Sequence, residues 1–358
     1  MQHKTIKYEK NSIFGVFETK NDNLRVFIIN IKQLKGVINM NNLKKIGLSA
    51  LAGSLVSFSA GAAEMSVSGG ASISFDDTNR GKATRGNGFY MGDSLNFSAS
   101  GETDNGIAIT VKYEIDGGTL DDYSLSMGGD WGTLVFDGHG ASSAMGAVDD
   151  MTPNAYEEAW DIIDVDGTTA SGSPLVIGGG GGNNMFIYTS PSVGGAQIKM
   201  AYQNDGGAAA VGDSYMDFAI SFAPEQVEGL TLGYATRDKD MGVALDEDAD
   251  TMYIKYAFGP VTVGAQTSES SHTTATLGKE STAYGITYAV NDDMSIGLSS
   301  HVLETDKTND ADQESIGISA SYTMGGMTLA GAMNEVDGME ADATQDYEGY
   351  EFTLSFAF

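Results

Sequence analysis

The sequence predicts an all-β fold, a 16-stranded antiparallel transmembrane β-barrel. Three observations predict it: period-two runs of membrane-spanning length, connections that alternate between short and long, and a consistent split of residues between an apolar and a small polar face. Leucine-rich helical patterning is nearly absent, and 47 glycines suit many strands and turns. The absence of cysteine excludes a disulfide scaffold and thiolate metal sites. Overall hydropathy is unremarkable, which argues only against helical spans, because a membrane barrel alternates its faces and averages near zero.

In chain order, the stretch beginning at Met40 comes before any strand pattern. Lys44 and Lys45 make a basic start, Ile46 to Ala60 an apolar stretch, and Gly61, Ala62 and Ala63 a small-residue end. That three-part pattern predicts a secretory signal peptide over 40–63, cleaved after Ala63. At ~15 residues its apolar stretch is short for a membrane-spanning helix. Residues 1–39 are basic and patternless, and "KGVINM" can be encoded with a purine-rich ribosome-binding sequence ahead of Met40. They read as a mis-assigned or translated leader. The mature chain is then 64–358, with ten basic against 46 acidic side chains and a charge of −36. So few cations exclude a nucleic-acid surface.

Beyond Ala63 the alternating runs are 65–75, 89–100, 107–115, 121–128, 132–138, 184–190, 196–204, 214–222, 230–237, 251–258, 261–268, 280–289, 294–304, 314–323, 327–335 and 347–358. Most approach the ~9–11 residues that a tilted membrane strand requires. Short connections such as "GGDWG", "FGP" and "MGG" alternate with long polar ones such as "SESSHTTATLGKE" and "VDGMEADATQD", as in an up-and-down barrel. Met252, Ile254, Tyr256 and Phe258 take one face of their run, and Tyr253, Lys255 and Ala257 the other. Phe222, Phe258, Tyr288, Tyr322 and Phe358 end their runs on the apolar face, as an interfacial aromatic girdle does. Asp93 breaks the apolar phase of its run, which predicts a bulge there or a place at the rim.

Cations are rare within the runs. Lys112, Lys199, Arg237 and Lys255 all fall on the polar phase, where physics requires them: at the lipid midplane each would cost about 2–4 kcal/mol. Arg85 lies in the first long connection or at the start of the second run. The longest connection, roughly 139–183, carries Asp149, Asp150, Glu157, Glu158, Asp161, Asp164 and Asp166 together with Tyr156, Trp160, Ile162 and Ile163. A loop of that length needs a reason, and its apolar residues predict that it packs against something. Folded into the lumen, it would set carboxylates opposite the basic wall and filter solutes by size and charge.

The signal peptide, the opening "AEMSVSGGASISF", the segment "FSASGETDNGIAITVKYE", the long acidic third loop and the terminal Phe358 together resemble the general diffusion porins of Gram-negative outer membranes, especially the alphaproteobacterial type. The resemblance implies short periplasmic turns, long outer loops, an inward-folded third loop and a homotrimer. It implies a water-filled channel for passive diffusion of small hydrophilic solutes and ions, with acids at 149–166 facing a wall cluster drawn from Arg85, Lys112, Lys199, Arg237 and Lys255. Arginines are few here, so the basic cluster is thin, and the acidic balance leans toward mild cation preference. The resemblance also makes Phe358 the signal presented to the barrel-assembly machinery, and outer-membrane lipid and lipopolysaccharide the surroundings.

Other functions fit less well. A barrel serving as a structural or adhesion surface would need no inward loop. A barrel enzyme would need a nucleophile–histidine–acid group, yet only His139, His272 and His301 lie beyond residue 63, two of them in predicted loops. No catalytic residue and no metal-ligand set is therefore expected. "GGGGGNN" at 178–184 lacks the Lys-Ser/Thr and helix of a phosphate cradle. The acid runs 246–250 and 310–314 could bind Ca2+ weakly, but they lack the spacing of a Ca2+ hand.

Overall fold

A computed structural model describes residues 64–78, 88–161, 176–177, 181–204, 214–240, 246–273, 278–306 and 311–358. The leader and signal peptide expected over 1–63 lie outside the described residues, as do Arg85, Asp164, Asp166, Ile162 and Ile163. The strands are β1 (Glu64–Thr78), β2 (Phe89–Glu102), β3 (Ala108–Asp116), β4 (Thr119–Gly129), β5 (Gly132–His139), β6 (Ala141–Ser142), β7 (Gly181–Gly182), β8 (Met185–Thr189) and β9 (Ala196–Gln203). The second half adds β10 (Ser214–Phe222), β11 (Leu230–Asp240), β12 (Glu247–Phe258), β13 (Val261–His272), β14 (Lys279–Ala289), β15 (Met294–Thr305), β16 (Gln313–Met324), β17 (Met327–Asp337) and β18 (Tyr347–Ala357).

Sixteen of these close into one antiparallel barrel in which each strand pairs with its sequence neighbours, β5 pairs with β8, and β18 returns to β1. The remaining pair, β6 and β7, forms a separate two-stranded neck within the third loop. Closure is tight: Phe75 faces Phe352 across the β1–β18 seam, and Gly69 and Phe358 exchange backbone hydrogen bonds of 2.9 and 3.0 Å. A closed ladder leaves no unpaired sheet edge, the condition for strands to cross a bilayer.

The expected faces are present. Met252, Ile254, Tyr256, Phe258, Ile316, Ile318 and Tyr322 are exposed on the outer surface, and Phe222, Tyr288 and Phe358 join Phe258 and Tyr322 at the short-turn rim. All sixteen predicted runs are barrel strands. Several extend further at the long-loop end: β11 to Asp240, β12 back to Glu247 and β13 to His272. Apolar alternation stops where the wall leaves lipid, but the backbone ladder continues, because its N–H and C=O groups still need partners. His139 and His272, expected in loops, are the final residues of β5 and β13 for this reason. The acid run starting at Asp246 likewise lies along the first rungs of β12.

Asp93 is exposed in the first half of β2, beyond the end of β3. The β1–β2 ladder passes it without a bulge, Ala71 opposite Asp93, and β3 ends one rung below it with Ser94 facing Asp116. The wall is low here because β3 and β4 are joined by the two-residue turn Gly117–Gly118. Further round, β5, β8 and β9 have only 8, 5 and 8 residues, against 11 or 12 for β12 to β17. The third loop leaves from this low section.

Candidate functional site

The apolar core lies inside the barrel, where the third loop covers the wall. Ala144, Met145 and Val148 of the loop are buried against Ala219, Ala235, Ala249, Tyr253 and Leu303, with Ile177 in the same cluster. The wall positions are lumen-facing by register: Ala219 opposes Ala235, which opposes Thr251. The small size of Ala219, Ala235 and Ala249 therefore serves loop packing rather than contact with water. Burying Met145 completely contributes on the order of 1.5–3 kcal/mol.

Polar contacts fix the loop in register along the wall. Asp217 on β10 accepts hydrogen bonds from the backbone N–H groups of Ala144 (3.1 Å) and Met145 (2.7 Å), and from the Tyr215 hydroxyl at 2.9 Å. Gln266 on β13 donates to the carbonyls of Val148 and Asp149 and accepts from the N–H of Met151. Ser319 on β16 accepts from the N–H of Ala155, and Asn334 on β17 donates to the Glu158 carbonyl. The Tyr156 hydroxyl reaches Glu351 and Thr353 on β18. The loop thus follows the lumen wall from β10 round to β18.

Glycines make this path narrow enough to fit. A Cβ on Gly264 would lie 2.6 Å from the Pro153 ring, and one on Gly285 would lie 2.4 Å from the Pro153 carbonyl oxygen. The two are directly paired across β13 and β14. Gly297 and Gly317 continue the track beneath Ala155 and Ala159. At the far end, the Trp160 ring packs on buried His301 with centroids 4.5 Å apart.

This docking gathers the loop acids into one partly buried group. Burial pushes Asp161 up to about 10, with a hydrogen bond to Glu158 adding to it. Burial and Glu158 push Asp150 up to about 9. Burial also acts on Glu158, but hydrogen bonds from Asp150 and Asp161 outweigh it and hold that carboxyl below its ordinary value. Glu157 is raised, chiefly by burial. Asp150 and Asp161 therefore carry protons at neutral pH, and Glu158 holds the negative charge between them. Tyr156 is raised by burial and by Glu351. Asp149 anchors the loop through its backbone carbonyl.

The wall cations separate into different roles. Lys255 lines a cavity of about 570 Å³ together with Asp150 and Glu158, so it shares that space with the acid group. Lys199 instead donates to the carbonyls of Ser142 (3.3 Å) and Ser143 (3.1 Å), at the root of the loop. Arg237 is buried and paired with Glu247 near the outer end of β11. Lys112 is exposed on the lumen face of β3, between Ser98 and Ser124 in the register. Only Lys255 of these four borders the cavity that the acids share.

The anchoring residues Asp217, Gln266, Asn334 and Glu351, and the glycine track, were not singled out in the sequence. Each sits on the polar phase of its strand, so only an oversized or charged group in a row of Ser, Gly and Ala could have drawn notice.

A closed sixteen-stranded barrel with its longest loop laid along the inner wall defines a membrane channel with an internal constriction. The Gram-negative porin family model matches residues 47–337, and the chain belongs to that family. It forms a channel for passive diffusion, and the family places it in the outer membrane. Its fold is similar to that of an anion-selective porin from Comamonas acidovorans, at 15% identity and a TM-score of 0.60, covering 83% of this chain and 100% of that one. It is also similar to a loop-deletion mutant of OmpT, an outer membrane protein of Vibrio cholerae (12% identity, TM-score 0.63, 83% and 100% covered). A Rhodopseudomonas blastica porin mutant shares the fold at 15% identity and a TM-score of 0.56, with 82% and 100% covered. No curated protein sequence matches the chain.

Proposed function

We propose that the channel passes small hydrophilic solutes and ions with a preference for cations, filtered by size and charge where loop residues 149–161 narrow the lumen. The observation that carries this reading is the cavity that Lys255 shares with Asp150 and Glu158. At neutral pH one wall cation stands against the charge held by Glu158, which gives a transverse field, and the excess of acids over bases beyond residue 63 raises the local cation concentration and sets the preference. Homotrimer formation, delivery by the 40–63 signal peptide and contact with lipopolysaccharide are part of the same proposal and rest on family membership.

Single-channel recording with reversal potentials in a salt gradient tests it. Cation preference is expected in the wild type, with a further shift toward cations in Lys255→Glu. An unchanged reversal potential in that variant would remove Lys255 from the constriction, and an anion-selective wild type would overturn the charge reading. A barrel giving no conductance steps in planar bilayers would instead support a structural or adhesion role.

A further inference from the structure

A second cluster of ligand-type side chains stands apart from the constriction, at the long-loop ends of β4 and β5. Asp121, Asp122 and His139 bring a donor atom each within 4.8 Å of one another. The His139 Nδ1 lies 3.2 Å from Asp122 Oδ1 and 3.7 Å from Asp121 Oδ1, and all three side chains are about half exposed. Asp137 interacts electrostatically with both Asp122 and His139.

Consecutive residues on a regular strand point to opposite faces, so Asp121 and Asp122 should not both reach one imidazole. They do so because the ladder is irregular on both sides of them. The β3–β4 register shifts between Tyr113 and Ile115, giving β4 the extra residue, and the β4–β5 register shifts between Tyr123 and Ser124, leaving Gly138 unopposed. Bulges of this kind re-aim side chains. Gly140, at φ +76°, completes the space: a Cβ there would lie 1.9 Å from the Asp122 carboxylate.

We propose that Asp121, Asp122 and His139 bind a divalent transition-metal ion of the Zn2+ class at the channel mouth. Zn2+ binds imidazole nitrogen and carboxylate oxygen at about 2.0–2.2 Å, which sets donor atoms of a tetrahedral site roughly 3.3–3.5 Å apart. The two His139 separations, 3.2 and 3.7 Å, bracket that value and the two carboxylates lie within 4.8 Å of each other, so side-chain adjustments seat the ion. Three protein ligands leave the fourth position to water. The imidazole selects this class over Ca2+ and Mg2+, which take oxygen ligands. A simple ion pair would use one carboxylate, whereas here two converge on a single ring nitrogen. An ion at this point would tie the β3–β4 hairpin to the root of the third loop, which begins at the next residues.

The test uses the folded full-length protein in detergent, stripped with EDTA and titrated calorimetrically with ZnCl2. One Zn2+ per chain is expected, resisting competition by excess Ca2+, with affinity falling at least about tenfold in His139→Ala and in Asp122→Asn. Co2+ should give a visible d–d absorption that His139→Ala abolishes. Channel conductance in EDTA should match wild type in both variants, which verifies folding. The Asp121→Asn/Asp122→Asn double variant, with the imidazole intact, serves if His139→Ala does not fold. Absence of Zn2+ binding, equal binding in wild type and variants, or displacement by Ca2+ overturns the proposal.

Discussion

Asp217 is the residue on which the loop depends most. Its carboxylate accepts two backbone N–H bonds and a tyrosine hydroxyl in a buried setting, and removing it leaves each donor unpaired at about 1–3 kcal/mol. Asp217→Ala is therefore expected to lower stability by roughly 3–5 kcal/mol and to raise single-channel conductance as the loop root lifts from the wall. Thermal unfolding and bilayer recording check the two effects separately. The acid group makes a second prediction at this scale. Asp150 and Asp161 have raised values, about 9 and about 10, so they gain charge as pH rises through that range. The cation-to-anion permeability ratio should increase between neutral pH and about 10, and Asp161→Asn should flatten the rise. The sign for stability is opposite. Groups with raised folded values contribute fully below the ordinary carboxylate range, and their contribution is lost as pH climbs to the folded values. Alkaline conditions should therefore loosen the loop as they charge it.

Among the elements, the strands and the third loop follow different rules. A strand is held by backbone pairing and needs only alternation, so each of the sixteen runs could be read from residues of its own segment. The loop is held by side chains from β10, β13, β16, β17 and β18, which lie up to 197 positions away. Its wall contacts were not legible for that reason. Tyr156 and Trp160 drew notice as bulky residues, yet the largest fully buried side chain among the described loop residues is Met145, which the sequence reading passed over. Gly285 offers the direct test of the track beneath the loop. In Gly285→Val the Cβ would meet the Pro153 backbone at 2.4 and 2.9 Å, so the loop must move while the barrel ladder is untouched. Larger conductance with unchanged β content by circular dichroism is expected, and unchanged conductance would mean that the loop accommodates the methyls in place.

At the scale of the whole molecule, closure joins chain ends that are remote in sequence. Phe358 forms the last hydrogen-bonded pair with Gly69 and places its exposed ring in the rim girdle. Its deletion removes two backbone bonds from a seam that otherwise remains paired from Gly70 to Thr78. The barrels that form should conduct normally, while the folded yield in cells falls several-fold, measured by heat-shifted mobility in gels. Equal yield would remove Phe358 from the assembly signal.

The sixteen barrel strands, the faces they present and the phase of the four cations within the predicted runs could be read from the sequence alone. These follow from local demands: a two-residue period, a bilayer of fixed thickness and the cost of charge in lipid. The tertiary structure alone decided what each inward side chain meets. Lys112, Lys199, Arg237 and Lys255 are equivalent in phase, yet one is exposed on the lumen wall, one holds the loop root, one is buried in an ion pair and one shares a cavity with the acids. Phase depends on neighbours two residues away in the same strand. Function within the lumen depends on where a loop of distant sequence comes to rest, and that is set by packing across the barrel.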